Sequence, residues 1–352
     1  MEISISLYLD KVVKDLEVFR LEKIKAYNRY KKTTLLLIKI VKVLIVLTIP
    51  VAIFVPPLWI VFIGLLLLAR FLSGRTNPKH TFTDHVKTVV LPELFQTINS
   101  TFEYKPYYSD KDNILKSGIL KSSYFKGNSK IVGEDYIKGL IADVDIECSE
   151  LHFYRIEKNW VKFILLFLTS FIVYPILIIL SIVMDLELES IGWLKLANEE
   201  KLFYRGFLMT ADFHKSFQGE LILLPKHQKN MVEKLDLNVN INAYKKITLE
   251  NPKINDIFEI YTKSEQEGFY ILSPTMLSAI EELCLSNGDY IPTITFIDGN
   301  MNILIPKPHD SFEVDLNTEI KDNSYFTRNI NDIMVLPKLI EHFKLEDRLW
   351  SK

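Results

Sequence analysis

The sequence predicts an α+β membrane protein: an N-terminal amphipathic helix, a two-helix transmembrane hairpin, and a mainly antiparallel β-sheet domain with flanking helices. Three observations carry that class. Two apolar runs, Leu35–Pro50 and Val51–Leu72, sit back to back with no charge between Val43 and Ala69. Before them, apolar residues recur at helical spacing among charges. After them, strand-like stretches alternate with helix starts and turn signals.

Residues 1–33 form the first element. Leu9, Val12, Val13, Leu16 and Phe19 alternate with Asp10, Lys11, Lys14, Asp15, Glu17 and Arg20, which reads as an amphipathic helix. It can bind a partner, self-associate or pack on its own domain. Met1–Lys32 is too polar for a cleavable signal peptide, and the run behind it is too long for one.

Residues 34–73 form the second. A bilayer core of about 30 Å needs about 20 apolar residues, and this block supplies close to twice that. A break is expected at Pro50 and at Pro56-Pro57, because proline lacks the donor an interior turn needs. Lys23, Lys25, Arg29, Lys31 and Lys32 precede the block, and Arg70, Arg75 and Lys79 follow it. That bias puts both ends in the cytoplasm. Lys39 and Lys42 lie near the cytoplasmic end, where long stems carry the charge to the headgroups.

From residue 81 the composition is that of a globular domain, in two parts, 81–157 and 200–352, around a membrane-embedded insertion, 160–186. Asp84–Ile98 can form a helix weakened by Pro92, and Glu134–Glu157 and Leu202–Leu224 read as strand. Ser273-Pro274 starts a helix that Asn287-Gly288 stops. Asp298-Gly299-Asn300 joins Thr293–Ile297 and Met301–Ile305 as a hairpin, and a last amphipathic helix covers about Asn331–Trp350.

Several stretches in that order resemble one family of bacterial membrane proteins, known as domain of unknown function 3137 (DUF3137). They are Gly133-Glu134-Asp135-Tyr136 with Gly139, Ser149-Glu150-Leu151, Phe203-Tyr204-Arg205-Gly206-Phe207, Asp212-Phe213, and Phe217-Gln218-Gly219. Leu249-Glu250-Asn251-Pro252 follows, then Phe258, Tyr261, Tyr270-Ile271-Leu272 and Pro274. One departure is Glu267-Gly268-Phe269-Tyr270, where the family often carries an arginine. The resemblance implies a membrane-anchored β-rich domain without an established activity, and a LemA-type membrane protein as a partner class.

The third apolar run, Phe163–Met184, is long enough to cross a bilayer once. A crossing would put the two parts of one domain on opposite sides of the membrane. A re-entrant hairpin folded near Tyr174-Pro175 removes that conflict and is the favoured reading. A single crossing and a surface or buried helix stay open.

Chemistry is less legible. A net charge of −2 over 352 residues provides no basic field for nucleic acid, which is not an expected partner. Cys148 and Cys284 make no disulfide framework, and Cys284 reads as a buried hydrophobe. Glu134 and Asp135 adjoin, so on a regular strand they point to opposite faces and pair only across a turn. His80, His85, His152, His214, His227, His309 and His342 are scattered without zinc-hydrolase spacing. Phe213-His214-Lys215 and Phe217 read as one buried aromatic face sooner than as an RNA or lipid contact. No catalytic residue, metal ligand or cofactor is assigned, and the binding residues are unknown. The expectation is an integral protein of the bacterial inner membrane, its N-terminus and main domain cytoplasmic, serving binding or scaffolding. The alternatives are a membrane-bound enzyme acting on lipid or nucleotide, or an accessory transport component.

Overall fold

The computed structural model describes residues 2–55, 57–74, 76–119, 129–164, 167, 198–213, 217, 219–226, 244–320 and 340–341. The chain divides into two compact units, Met1–Pro106 with Ser311–Met334 and Tyr107–Asp310 with Val335–Lys352. It is α+β, with a large antiparallel sheet.

The first unit begins with α1, Glu2–Tyr30, which runs through a π-helical turn, Lys31–Leu35, into α2, Leu36–Phe54. Pro50 lies inside α2, so it does not break the helix as expected. Neighbouring groups can re-satisfy the carbonyl that a helical proline frees. The break falls only at Val55–Pro57, where the Leu58 N–H returns to the Val55 carbonyl at 3.0 Å. Helix α3, Leu58–Ser73, packs against α2. Among the described residues one helical stretch, Leu58–Ile98, is long and apolar enough to cross a membrane. The mean hydropathy of its most apolar part is 1.8, with 6% of that part buried.

Helix α4, Pro78–His85, is capped by the Asn77 side chain and continues through a π-helical turn, Val86–Val90, into α5, Leu91–Ile98. Pro92 thus stands in the first turn of α5, where its missing donor matters little, and the expected weak point becomes a π-turn. Helix α1 packs on α4 and α5, with the Phe19 ring 4.4 Å from that of His85. Phe82, Leu91, Leu94, Phe95 and Phe312 close this core, and the short strand β1, Glu103–Lys105, sends Tyr104 against Phe95.

The second unit holds α6, Lys111–Lys116, and strands β2, Ser129–Ile141, β3, Val144–Lys158, β4, Asn198–Asp212, β5, Leu221–Pro225, and β6, Lys245–Ile247. Then come α7, Pro252–Ile257, β7, Phe258–Thr262, α8, Glu265–Ile271, α9, Pro274–Asn287, β8, Thr293–Ile297, and β9, Asn300–Pro306. The strand order is β2-β3-β4-β9-β8-β5-β7-β6. The stretch expected as one strand run, Glu134–Glu157, is a hairpin. Ala142 and Asp143 take φ of 50° and 64°, a turn that the pair Ala-Asp does not advertise in sequence. Asp298 and Gly299 take φ of 50° and 77° and join β8 to β9 as their sequence predicts. Helix α9 starts at Pro274 and stops at Gly288, but the Ser273 side chain makes no capping bond. The expected last helix lies outside the described residues except for helical 340–341, and the third apolar run except for residues 163, 164 and 167.

Candidate functional site

The β2–β3 ladder pairs Glu134 with Glu150, slips, and resumes at Ile137 with Cys148. One extra residue on β2 makes a bulge, with Asp135 at φ 53°. The bulge supplies the turn that a regular strand denies to Glu134 and Asp135. Each contributes a carboxylate oxygen to a group around Asp310: Glu134 with His152, and Asp135 with Glu150. Within each group the ligand-type atoms lie inside 4.8 Å of one another.

On β3, Leu151 and Phe153 enter a core with Ile114, Ile119, Tyr204, Leu208 and Leu304. Strand alternation therefore puts Glu150 and His152 on the other face. Arg205 stands opposite His152 on β4. The Lys307 N–H reaches the Arg205 carbonyl at 3.0 Å, which carries the β9 edge on toward Asp310. Two motif glycines flank the cluster because no side chain fits there. A Cβ on Gly133 would lie 2.5 Å from Ser109 Cβ, and one on Gly206 would lie 2.8 Å from Leu304 Cδ1.

His152 is 3% exposed, and Glu150 and Asp135 are fully buried. The His152 Nδ1 lies 3.1 Å from Glu134 Oε1. Its Nε2 lies 3.5 Å from Glu150 Oε1 and 3.8 Å from Asp310 Oδ2. Arg205 approaches Asp310 Oδ2 at 3.3 Å through Nη2, and Glu150 Oε1 at 3.7 Å through Nε. His152 Nε2 and Arg205 Nε are buried without a hydrogen bond. Burial pulls the imidazole toward the neutral form, but Glu134, Glu150 and Asp310 outweigh it and push its pKa up to about 9.

A second feature shares no residue with this cluster. A cavity of about 380 Å³ is lined by α6, the start of β3, the end of β4 and the β8–β9 hairpin. Asp110, Asp112, Asp145, Glu147, Asp212 and Asp298 line it along with Lys116, a lining that favours cationic groups. Asn113 Nδ2 donates to Glu147 at 2.7 Å. The Thr210 hydroxyl lies 3.1 Å from Asn113 Oδ1 and 2.9 Å from Asn302 Oδ1. A hydroxyl carries one hydrogen, so it donates to one of the two amides at a time.

The other residues singled out in sequence stand apart from both features. His80 and His309 are exposed, and His85 packs on Phe19. His214, His227 and His342 lie outside the described residues. Cys284 is buried on α9, and burial pushes its thiol up to about 12; burial raises that of Cys148 too. Phe213 and Phe217 pack on Phe296, at 5.1 and 6.5 Å between rings. Lys39 and Lys42 are exposed. Sequence reasoning missed the His152 cluster because its members are four acids, a histidine and an arginine spread over residues 134–310. The like-charged Glu134 and Glu150 in paired strands would have been the available signal, given the correct hairpin register.

Residues 202–345 match the sequence profile of a family described as "Protein of unknown function (DUF3137)", so the resemblance stands over that stretch. Arg205 and Asp310 fall inside it. No curated protein matches the chain. A crystal structure of the mycobacterial trehalose monomycolate transport factor A, TtfA, is similar with a TM-score of 0.30 and 9% identity, over 68% of this chain and 88% of that one. That likeness is too loose to carry fold or function.

Proposed function

We propose that the chain is an integral membrane protein in which α2 and α3 form a transmembrane hairpin. The hairpin holds the α+β sheet at the cytoplasmic face of a bacterial inner membrane as a binding or scaffolding module. The observation that carries this reading is the exposed apolar surface of both helices. Leu47, Ile60, Leu67 and Phe71 are 60%, 76%, 64% and 66% exposed, among many neighbours like them. Patches of this size on a water-facing helix pair would drive aggregation, whereas lipid solvates them.

Return of the third apolar run is supported by the sheet. Lys158 pairs with Asn198, and Glu157 with Glu199, so the chain leaves β3 and re-enters β4 at one end of one ladder. Both ends of the insertion then lie on the same side of the membrane. Its entry carries interfacial chemistry: Trp160 and Val161 are 64% and 77% exposed, and the Lys158 ammonium sits 4.7 Å from the Trp160 ring centre.

Binding is favoured by the acidic cavity, whose six carboxylates offer a docking face for cationic groups. The alkaline carbonate wash of isolated membranes tests the anchor. Retention in the pellet supports it, and release into the supernatant overturns it. Protease protection of a tag at Lys352 in spheroplasts tests the topology: cleavage from outside overturns the cytoplasmic placement.

A further inference from the structure

We infer that His152 Nε2, Glu150 and Asp310, completed by Asp135, form a binding site for one divalent transition-metal ion of the zinc or manganese class. The inference is independent of the membrane anchor. It begins with which imidazole nitrogen is already engaged. Nδ1 lies 3.1 Å from a Glu134 oxygen, a hydrogen-bond distance, so the proton belongs there in the metal-binding tautomer. Nε2 then offers its lone pair. That atom is buried, makes no hydrogen bond, and faces Glu150 Oε1 at 3.5 Å and Asp310 Oδ2 at 3.8 Å.

Those separations suit a shared cation better than a hydrogen-bond pair. Around an ion with bonds of about 2.1 Å, neighbouring ligand atoms stand about 3.0–3.4 Å apart. Closing the two imidazole–carboxylate gaps needs movements of a few tenths of an ångström, and drawing in carboxylate oxygens that stand up to 4.8 Å apart needs side-chain shifts of up to about 1.5 Å. Asp135, Glu150 and Asp310 already place three carboxylate oxygens within 4.8 Å of one another.

Charge points the same way. Four carboxyl groups, Glu134, Asp135, Glu150 and Asp310, converge on two basic side chains, His152 and Arg205. Glu134 and Glu150 stand directly opposite each other in the ladder, an unfavourable arrangement for like charges. A dication offsets that surplus. Arg205 stays as a fixed clamp on Asp310, at 3.3 Å, and limits the site to one ion. A mixed imidazole–carboxylate set selects zinc or manganese over copper(I), which wants thiolates, and over magnesium, which keeps its waters. Glu134 is a positioning residue, acting through the imidazole.

The test uses tag-free, full-length protein in detergent, stripped with EDTA and dialysed against zinc, manganese or magnesium chloride. Metal per chain is read by inductively coupled plasma mass spectrometry and affinity by calorimetry. The expected result is about one zinc or manganese ion per chain, undisturbed by excess magnesium. Affinity should fall at least about tenfold in Asp310→Asn and His152→Gln, and about tenfold in Glu134→Gln. Folding of each variant is checked by circular dichroism. If the variants do not fold, pulsed electron paramagnetic resonance of the manganese-loaded wild type decides, and imidazole nitrogen coupling supports the site. Failure of folded wild-type protein to retain metal, equal affinity in folded variants, or manganese without nitrogen coupling would each overturn the inference.

Discussion

Each unit buries a basic side chain against carboxylates, and the two do so in opposite ways. In the first, Arg20 donates to both oxygens of Glu17 at 2.7 Å and to the Leu316 carbonyl at 3.0 Å. Glu17 also accepts the Ile320 N–H at 3.1 Å. The two partners close their bonds on each other and staple α1 to residues 316–320. In the second, His152 and Arg205 meet Glu150 and Asp310 at 3.3–3.8 Å, and a nitrogen of each basic group makes no hydrogen bond. A closed set of short bonds is sufficient as structure. The looser set leaves two buried nitrogens without hydrogen bonds, a cost that a closed network does not carry.

The largest break in this comparison should come from Arg20→Ala. Removing one partner of a buried, hydrogen-bonded pair costs about 3–5 kcal/mol, here discounted toward the lower end because Glu17 keeps a 26% exposed side chain. Urea unfolding of the detergent-solubilised chain reads the loss, and adding Glu17→Gln should return part of it. Gly133→Ala should follow, at about 1–3 kcal/mol, because its methyl meets Ser109 at 2.5 Å and the bulge beside the cluster must shift. Thermal midpoints check this.

The pH dependences should have opposite signs. The folded His152 pKa of about 9 exceeds the ordinary 6.5. In metal-free protein its contribution to stability is complete below pH 6.5 and lost as pH rises through 9. Arg20 holds the Glu17 carboxyl below its ordinary 4.5, so that contribution is present above 4.5 and lost as pH falls further. Thermal unfolding from pH 7 to 10 should therefore weaken the wild type more than His152→Gln. From pH 5 to 3 it should weaken the wild type more than Glu17→Gln. The smallest effect belongs to Leu285→Ser on α9, 82% exposed, which should stay within about 0.5 kcal/mol in the same unfolding measurement.

What could be read in the sequence follows from how local the signals are. The α1 helix, the α9 boundaries at Pro274 and Gly288, and the Asp298-Gly299 hairpin rest on periodicity, proline, and residues that accept positive φ. The Ala142-Asp143 turn carries no such residue pair, and the stretch around it reads as one strand run. Without that hairpin, Glu134 has no partner at Glu150.

By itself the sequence determined the apolar helices, their basic flanks, the α+β composition and the family pattern, because each is a property of neighbouring residues. Only the tertiary structure decided that Glu134 and Asp135 can serve one site. That outcome needed a bulge at Asp135, the pairing of β2, β3 and β4, and the return of the chain after β9 to Asp310. These depend on register between strands far apart in the chain, and one residue of slip would have turned every one of those side chains to the other face.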